Sequence, residues 1–271
     1  MTIIENEAEL LQALHGEMTP KFLATRNPEG IPNVVPCVSI SPADDQPDTL
    51  FFGNFLLRKS IKNLEVDKRA AVLVITQDLK GWMLKCDFIE FQRTGTYVDR
   101  QMSSNLLRYN AYTGIRNAGV MRVLSIEGRF NISKIQVLLD YLRAKIKTWG
   151  ISEKPTGLDS REMVKIPLPT RQEFARMVAV KVLAWVGEDG YPIIVPTLSM
   201  QPAGDHALVG ILNGANMPKP SSGARVATNI LTFQAISYQI KGLWQSSGNS
   251  GKLQAQEVYA GGPPYPGGRV A

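Results

Sequence analysis

Residues 21–45, KFLATRNPEGIPNVVPCVSISPADD, return as KVLAWVGEDGYPIIVPTLSMQPAGD at residues 181–205. At a constant offset of 160, eleven of 25 positions are identical without a gap: Lys21, Leu23, Ala24, Gly30, Pro32, Val35, Pro36, Ser39, Pro42, Ala43 and Asp45 match Lys181, Leu183, Ala184, Gly190, Pro192, Val195, Pro196, Ser199, Pro202, Ala203 and Asp205. A second block follows, RAAVLVIT at 69–76 against RVATNILT at 225–232, where the offset has fallen to 156. Fixed-offset similarity of this length reads as two copies of one domain, the second shortened by four residues between the blocks.

Each copy is β-rich. An apolar run at 22–25, a turn at 27–30 and a valine-rich run at 33–40 make a hairpin, because Gly and Pro punctuate β-branched segments. Further strands are expected at 50–53, 70–76, 82–91 and 94–98, with 120–133 closing the first set. The second copy repeats the plan at 178–186, 193–200, 207–212, 226–231, 235–245 and 253–259, with its turn at 187–190. Many short strands at this spacing predict small barrels. Helices are expected at 5–16, more weakly at 101–112, and at 134–147, where Ile135, Leu138, Leu139, Leu142 and Ile146 share one face. Core packing is the expectation for that face. Residues 150–172 read as the loop between the copies, and 261–268, GGPPYPGG, as a tail or extended strap without regular structure. The domains expected are 1–133, a helical connector and loop at 134–172, and 173–271.

The 271 residues are 44% hydrophobic and 20% charged, the balance of a folded chain. No run reaches the roughly 18 apolar residues of a membrane span. The opening MTIIE lacks the layout of a secretory signal, and two cysteines make no disulfide framework, so a cytoplasmic setting is expected. Two histidines, His15 and His206, exclude a histidine-rich metal centre and read as surface residues. Chemistry, if present, is therefore borrowed from a cofactor. The net charge of +6 permits an anionic ligand, while its dispersed basic residues carry no nucleic-acid motif.

The segment FFGNFLLRKSIKNLEVDKR, 51–69, concentrates that charge. A strand ends near Gly53, a basic turn follows, and Ser60 is placed to cap a helix beginning at Ile61. Helix-start N–H groups, the serine hydroxyl and the charges of Arg58, Lys59 and Lys62 would then hold a phosphate; a solvated basic helix is the plainer alternative. Trp82, Trp185, Trp244 and Tyr238 read as core, and Lys85 and Arg93 as strand-end charges. Cys37 and Cys86 read as inert thiols, and Arg108, Tyr109, Tyr112 and Arg116 as a cover or a pocket flank.

Two motifs in order, Gly30-Ile-Pro-Asn-Val-Val-Pro36 and Lys59-Ser-Ile-Lys-Asn-Leu64, followed by Asp67, Arg69 and a Thr94-Gly-Thr-Tyr97 return strand, resemble the FMN-binding split β-barrel family, which includes pyridoxamine 5'-phosphate oxidase relatives. The resemblance covers most of 18–133 and, more weakly, 175–260. It implies a mainly β fold of two tandem split β-barrels with peripheral helices, forming an intrachain pseudo-dimer with the flavin between the barrels. It also implies FMN phosphate contacts from Arg58, Lys59 and Ser60, with Lys62 and Asn63 secondary. The strand carrying Val35, Pro36 and Cys37 would lie along the ring, and Asn54 and Phe55 near the ribityl chain. The second copy departs from the pattern: Met217-Pro-Lys-Pro-Ser-Ser-Gly223 replaces the basic helix start, so one flavin site per chain is expected.

The function expected is an FMN-dependent oxidoreductase acting on a small substrate. The alternatives are a flavin-binding electron carrier serving an electron-transfer partner, an F420-dependent reductase, and a decayed tandem barrel binding haem or protein. No catalytic side chain and no metal ligand is nominated. The partners expected exclude nucleic acid and membrane, and the chain is expected as a monomeric pseudo-dimer or a homodimer.

Overall fold

A computed structural model describes residues 2–55, 57–104, 114–149, 163–214, 217–234, 236–261 and 267–271. The described residues form fifteen strands and five helices. The first sheet contains β1 (Lys21–Arg26), β2 (Pro32–Pro36), β3 (Ser41–Pro42), β4 (Thr49–Gly53), β5 (Arg69–Ile75), β6 (Lys80–Gln92) and β7 (Ala118–Asn131) in the order β2-β1-β5-β6-β7-β4-β3. The second contains β8 (Val180–Val186), β9 (Pro192–Pro196), β10 (Gln201–Pro202), β11 (Ala207–Ile211), β12 (Arg225–Leu231), β13 (Ser237–Ser247) and β14 (Ser250–Ala260) in the order β10-β11-β14-β13-β12-β8-β9. Strand for strand, the two orders are the same, and neighbours pair antiparallel from β1 through to β3 and from β10 through to β8.

The order forces each sheet to curl. Laid flat, seven strands would hold their edge strands about 29 Å apart, six steps of about 4.8 Å. Yet the edges β2 and β3 are joined by residues 37–40 alone, a connection that reaches about 17 Å at most. The edges β9 and β10 are joined by residues 197–200 in the same way. Both sheets therefore roll up, and the fold is mainly β, two tandem curled antiparallel sheets.

The closing corners share the same framework of bonds. Cys37 N–H donates to Lys21 O at 2.7 Å, and Thr197 N–H to Lys181 O at 2.7 Å. Ser39 Oγ accepts from Gly53 N and donates back to Gly53 O; Ser199 does the same with Ile211. Lys21 and Lys181 are fully buried, and each ammonium reaches a corner carbonyl, Val38 O at 3.2 Å and Leu198 O at 3.5 Å. The Lys and Ser identities of the repeat thus hold the corners shut. Gly30 (φ +72°) and Gly190 (φ +81°) turn the preceding hairpins in the left-handed region, which a side chain resists.

By internal contact the chain forms two units, one of residues 1–30, 35–131 and 187–193, the other of 31–34, 132–186 and 194–271. In the first, Leu23, Val72, Val74, Leu84, Phe52 and Trp82 make the core, with Leu10 and Leu14 of α1 (Ala8–His15) packed on it. In the second, Val182, Ala184, Val226, Ile240, Trp244 and Leu253 are buried strand residues.

Several expected elements differ. Residues 94–98 are not a strand: β6 stops at Gln92, and Gly95, at φ +110°, is the N-cap of α3 (Thr96–Ser103). Helical spacing wins because it buries Tyr97 and Gln101 together, Tyr97 stacked on Phe51 at 4.7 Å and Gln101 Nε2 donating to Ser39 O. The expected helix at 101–112 coincides with α3 only at its start; residues 105–113 lie outside the described residues. Most of the loop expected at 150–172 also lies outside, but α5 (Leu168–Phe174) takes up its end. Gly268–Arg269 forms a short strand, β15, on β14, so the expected strap does carry regular pairing there.

The helix α4 (Lys134–Trp149) packs with the opposite face to the one expected. Ile135 and Ile146 are 72% and 66% exposed, and Leu138, Leu139 and Leu142 are exposed too. Inward-facing instead are Ala144, packed with Ala203, Ala207, Val209 and Ile211, and Asp140, which accepts from Gln136, Asn213 and Arg143. The small alanine permits close approach to the sheet, and the satisfied carboxylate fixes the helix rotation.

Candidate functional site

β4 ends at Gly53, and α2 (Arg58–Val66) begins five residues later. Leu57, Ile61 and Leu64, at spacings of four and three, face the core and fix the helix on the barrel wall. That apolar stripe starts the helix earlier than expected. Leu57 is the N-cap and Ser60 lies inside the first turn, buried, so it is not the cap. Among the described residues no side chain caps the helix, and no acidic residue lies in its first turn. The helix start consequently presents its positive dipole end with Arg58, Lys59 and Ser60 as its first three residues and Lys62 two positions beyond them. Arg58 and Lys62, four apart, are exposed on one side; Lys59 is half-buried.

The side of the helix toward β1 is anchored by Asn63, whose Nδ2 donates to Thr25 Oγ1 at 3.0 Å. Past the helix, Asp67 binds two arginines through the same Oδ2, Arg69 NH2 and Arg26 Nε each at 2.8 Å. Burial pushes the Asp67 carboxyl upward, but the Arg69 hydrogen bonds and the charges of Arg69 and Arg26 outweigh it and hold it below the ordinary carboxylate value. Arg26 also donates to Gly190 O, and Lys85 and Tyr191 bond Asp189 and Asp87. The sequence marked 187–190 only as a turn; these partners have no local signal.

The remaining nominated residues lie directly after β4, at the end of β2 and in the corner that follows β2. Asn54 directly follows β4 and is buried, its backbone N–H donating to Asn117 O and its carbonyl accepting from Arg116 N. Phe55, next in the chain, is half-buried. Val35 and Pro36 end β2, beside β1, to which Asn63 ties α2. Cys37 is committed to the corner: its N–H is taken by Lys21, its carbonyl by Ile40, and its thiol contacts Ser39. Burial pushes that thiol up to about 12, and the Cys86 thiol also upward. The corner itself links the groups, because Ser39 bonds Gly53, the residue before Asn54.

Elsewhere, Trp82, Trp185 and Trp244 are core residues as expected, His15 is exposed, and His206 contacts Val164 O. Residues 108, 109 and 112 of the basic-aromatic cluster lie outside the described residues. Among the described residues no cluster of three or more His, Cys, Asp or Glu could hold a metal ion. No helix is long and apolar enough to cross a membrane among the described residues.

As a donor set, the start of α2 suits a phosphate: cationic side chains, an uncapped helix end and no competing carboxylate in the first turn. No protein-family model matches the chain, and no curated protein matches it. Among solved structures, an FMN-binding protein from Syntrophomonas wolfei is similar, at 16% identity and a TM-score of 0.39 over 49% of this chain and 88% of that one. An F420 reductase matches at 19% identity and a TM-score of 0.34, over 42% of this chain and 93% of its own. The haem storage protein HutZ from Vibrio cholerae matches at 15% identity and a TM-score of 0.35, over 48% and 95%.

Proposed function

We propose that the first unit binds flavin mononucleotide by its phosphate at the start of α2, and that the chain is an FMN-dependent oxidoreductase acting on a small substrate. One observation carries this reading: the uncapped start of α2, with Arg58, Lys59 and Lys62 beside it and no acid in its first turn. Bound there, FMN supplies an electron and hydride carrier that no side chain of the protein provides.

The chain's own residues bind and orient. Arg58, Lys59 and Ser60 hold the phosphate through charge and hydrogen bonding, and Lys62 adds charge from the next turn position. Asn63, tied to Thr25, keeps the helix from rotating and so fixes where the phosphate sits. Asn54 and Phe55, just before the helix, are the residues from which the ribityl chain would be met, and Val35 and Pro36 offer strand backbone to the ring. Cys37 keeps the corner closed. The buried thiols stay protonated, so no cysteine competes for electrons as a thiolate.

Freshly purified protein tests the proposal through its absorbance spectrum and the mass of whatever heat releases. A flavin spectrum and the mass of FMN support it. A released F420 or haem, or a chain that carries no flavin and takes up none when FMN is added, refutes it.

A further inference from the structure

Among the described residues the second unit has no basic helix after its fourth strand, yet a cleft of about 360 Å³ opens there. It lies where β11 ends, the point that the Ser199–Ile211 bonds make equivalent to the Ser39–Gly53 junction before α2. Ile146 and Ile211 form its apolar wall, and its polar lining comes from α4, from Asn213 just after β11 and from the turn between β13 and β14. The cations arrive from a different element than in the first unit: Arg143 and Lys147 line the cleft from α4.

Hydrogen-bond bookkeeping gives the sign of the ligand. Lys147 spends one of its three N–H groups on Ser250, whose hydroxyl donates onward to Ser247 O. Arg143 spends one of five on Asp140 at 3.4 Å. Asn249, which also lines the cleft, accepts through Oδ1 from a third cation, Lys219, so its Nδ2 donor group takes no part in that bond. Asp140, the one carboxylate beside the cleft among the described residues, is 6% exposed and already accepts from Gln136, Asn213 and Arg143. Asn213 keeps its Oδ1 as the single side-chain amide acceptor. Among the described residues, donors and positive charge thus exceed what the cleft itself consumes, and the volume sits at the low end of ligand pockets.

From this surplus we infer that the second unit carries its own binding site for a small organic oxyanion with a compact apolar body. The oxyanion is held by Arg143, Lys147 and the Asn249 amide, and the body rests on Ile146 and Ile211. The site is separate from the α2 start and does not depend on it.

Calorimetric titration of the full chain tests this, in a Lys59→Ala/Ser60→Ala background so that the α2 start does not contribute. The probes are phenyl phosphate, benzoate and neutral benzyl alcohol. One equivalent of phenyl phosphate or of benzoate should bind, the stronger of the two identifying the preferred oxyanion, and benzyl alcohol should bind at least tenfold more weakly. Adding Arg143→Gln and Lys147→Gln should weaken the anion at least tenfold. Equal binding of benzyl alcohol, no anion binding, or an unchanged affinity in the added variant overturns the inference. Because those two substitutions remove bonds to Asp140 and Ser250, the NMR signal of the Asn249 side-chain amide in the unmodified chain gives an independent reading. It should shift on titration with the stronger anion, and an immobile signal refutes the site.

Discussion

Replacing Lys181 by methionine should stabilise the protein at neutral pH and destabilise it at high pH. Lys181 is fully buried, and among the described residues its ammonium has one long hydrogen bond, 3.5 Å to Leu198 O. Burial lowers its pKa from 10.5 to about 7. Because the folded value lies below the unfolded one, the unfolded chain binds more protons between pH 7 and 10.5, and stability rises with pH across that window. At about 1.36 kcal/mol per pKa unit, the buried ammonium costs about 4 kcal/mol at pH 7.5 and about 1 kcal/mol at pH 10. Methionine fills similar space without charge but forfeits the hydrogen bond and strands the Leu198 carbonyl, together about 2 kcal/mol. Lys181→Met is thus expected to gain about 2 kcal/mol at pH 7.5 and to lose about 1 kcal/mol at pH 10. Urea unfolding at both pH values measures this as a shift of midpoint at constant slope. Lys21→Met is the contrast: that ammonium keeps two carbonyl bonds, Gly16 O at 2.9 Å and Val38 O at 3.2 Å, so its loss should not stabilise at pH 7.5. Parallel stability–pH profiles for Lys181→Met and the unmodified chain would refute the reasoning.

Other consequences follow from the same geometry. Gly30→Ala should cost about 1–2 kcal/mol for its left-handed backbone. Gly190→Ala should cost more, because its methyl would come within 2.3 Å of Arg69 NH1 and displace the Arg26–Asp67–Arg69 group; thermal melts of the two variants compare them directly. Asp67→Asn should destabilise by about 1–3 kcal/mol at pH 7 by removing a carboxylate that two arginines share. Because the Asp67 pKa is depressed, that contribution is present above the unfolded carboxylate value and is lost as pH falls through the folded one. The variant and the unmodified chain should therefore converge in stability at the acid end of a urea series. Cys37 and Cys86, both buried with raised pKa values, should resist iodoacetamide at pH 8 in the native protein and react in urea, as mass spectrometry would report; rapid native labelling would contradict their burial.

Much of the fold could be read from strand patterning and from the repeat. The runs at 22–25, 50–53, 70–76 and 82–91 lie within β1, β4, β5 and β6 except for the last residue, Thr76. The repeated Lys and Ser marked the duplication in the sequence but not their role as corner-closing groups: Lys21 and Lys181 gave no local sign that their ammonium groups would be buried against carbonyls seventeen residues on. Tertiary context decided the other departures. Thr94–Val98 has β-forming residues, but burying Tyr97 and Gln101 on Phe51 and Ser39 favours a helix. In α4 the apolar face was legible and its direction was not, because rotation is set by Asp140 meeting Asn213, a residue 73 positions away. At the candidate site, the cations and their order were visible in the sequence, whereas the helix start was misplaced by three residues because Leu57, not Ser60, begins the buried stripe. The second-unit cleft left no sequence motif, since its lining comes from α4, β11 and a distant turn.

The central claim is that the start of α2 grips a phosphate, and a paired titration with FMN and riboflavin measures that grip most directly, because the two differ only in the phosphate. FMN should bind the unmodified chain once, at least tenfold more tightly than riboflavin, and Lys59→Ala/Ser60→Ala should erase the difference while leaving riboflavin affinity in place. Equal affinity for FMN and riboflavin in the unmodified chain, or a preference for FMN that survives the double substitution, would contradict the account.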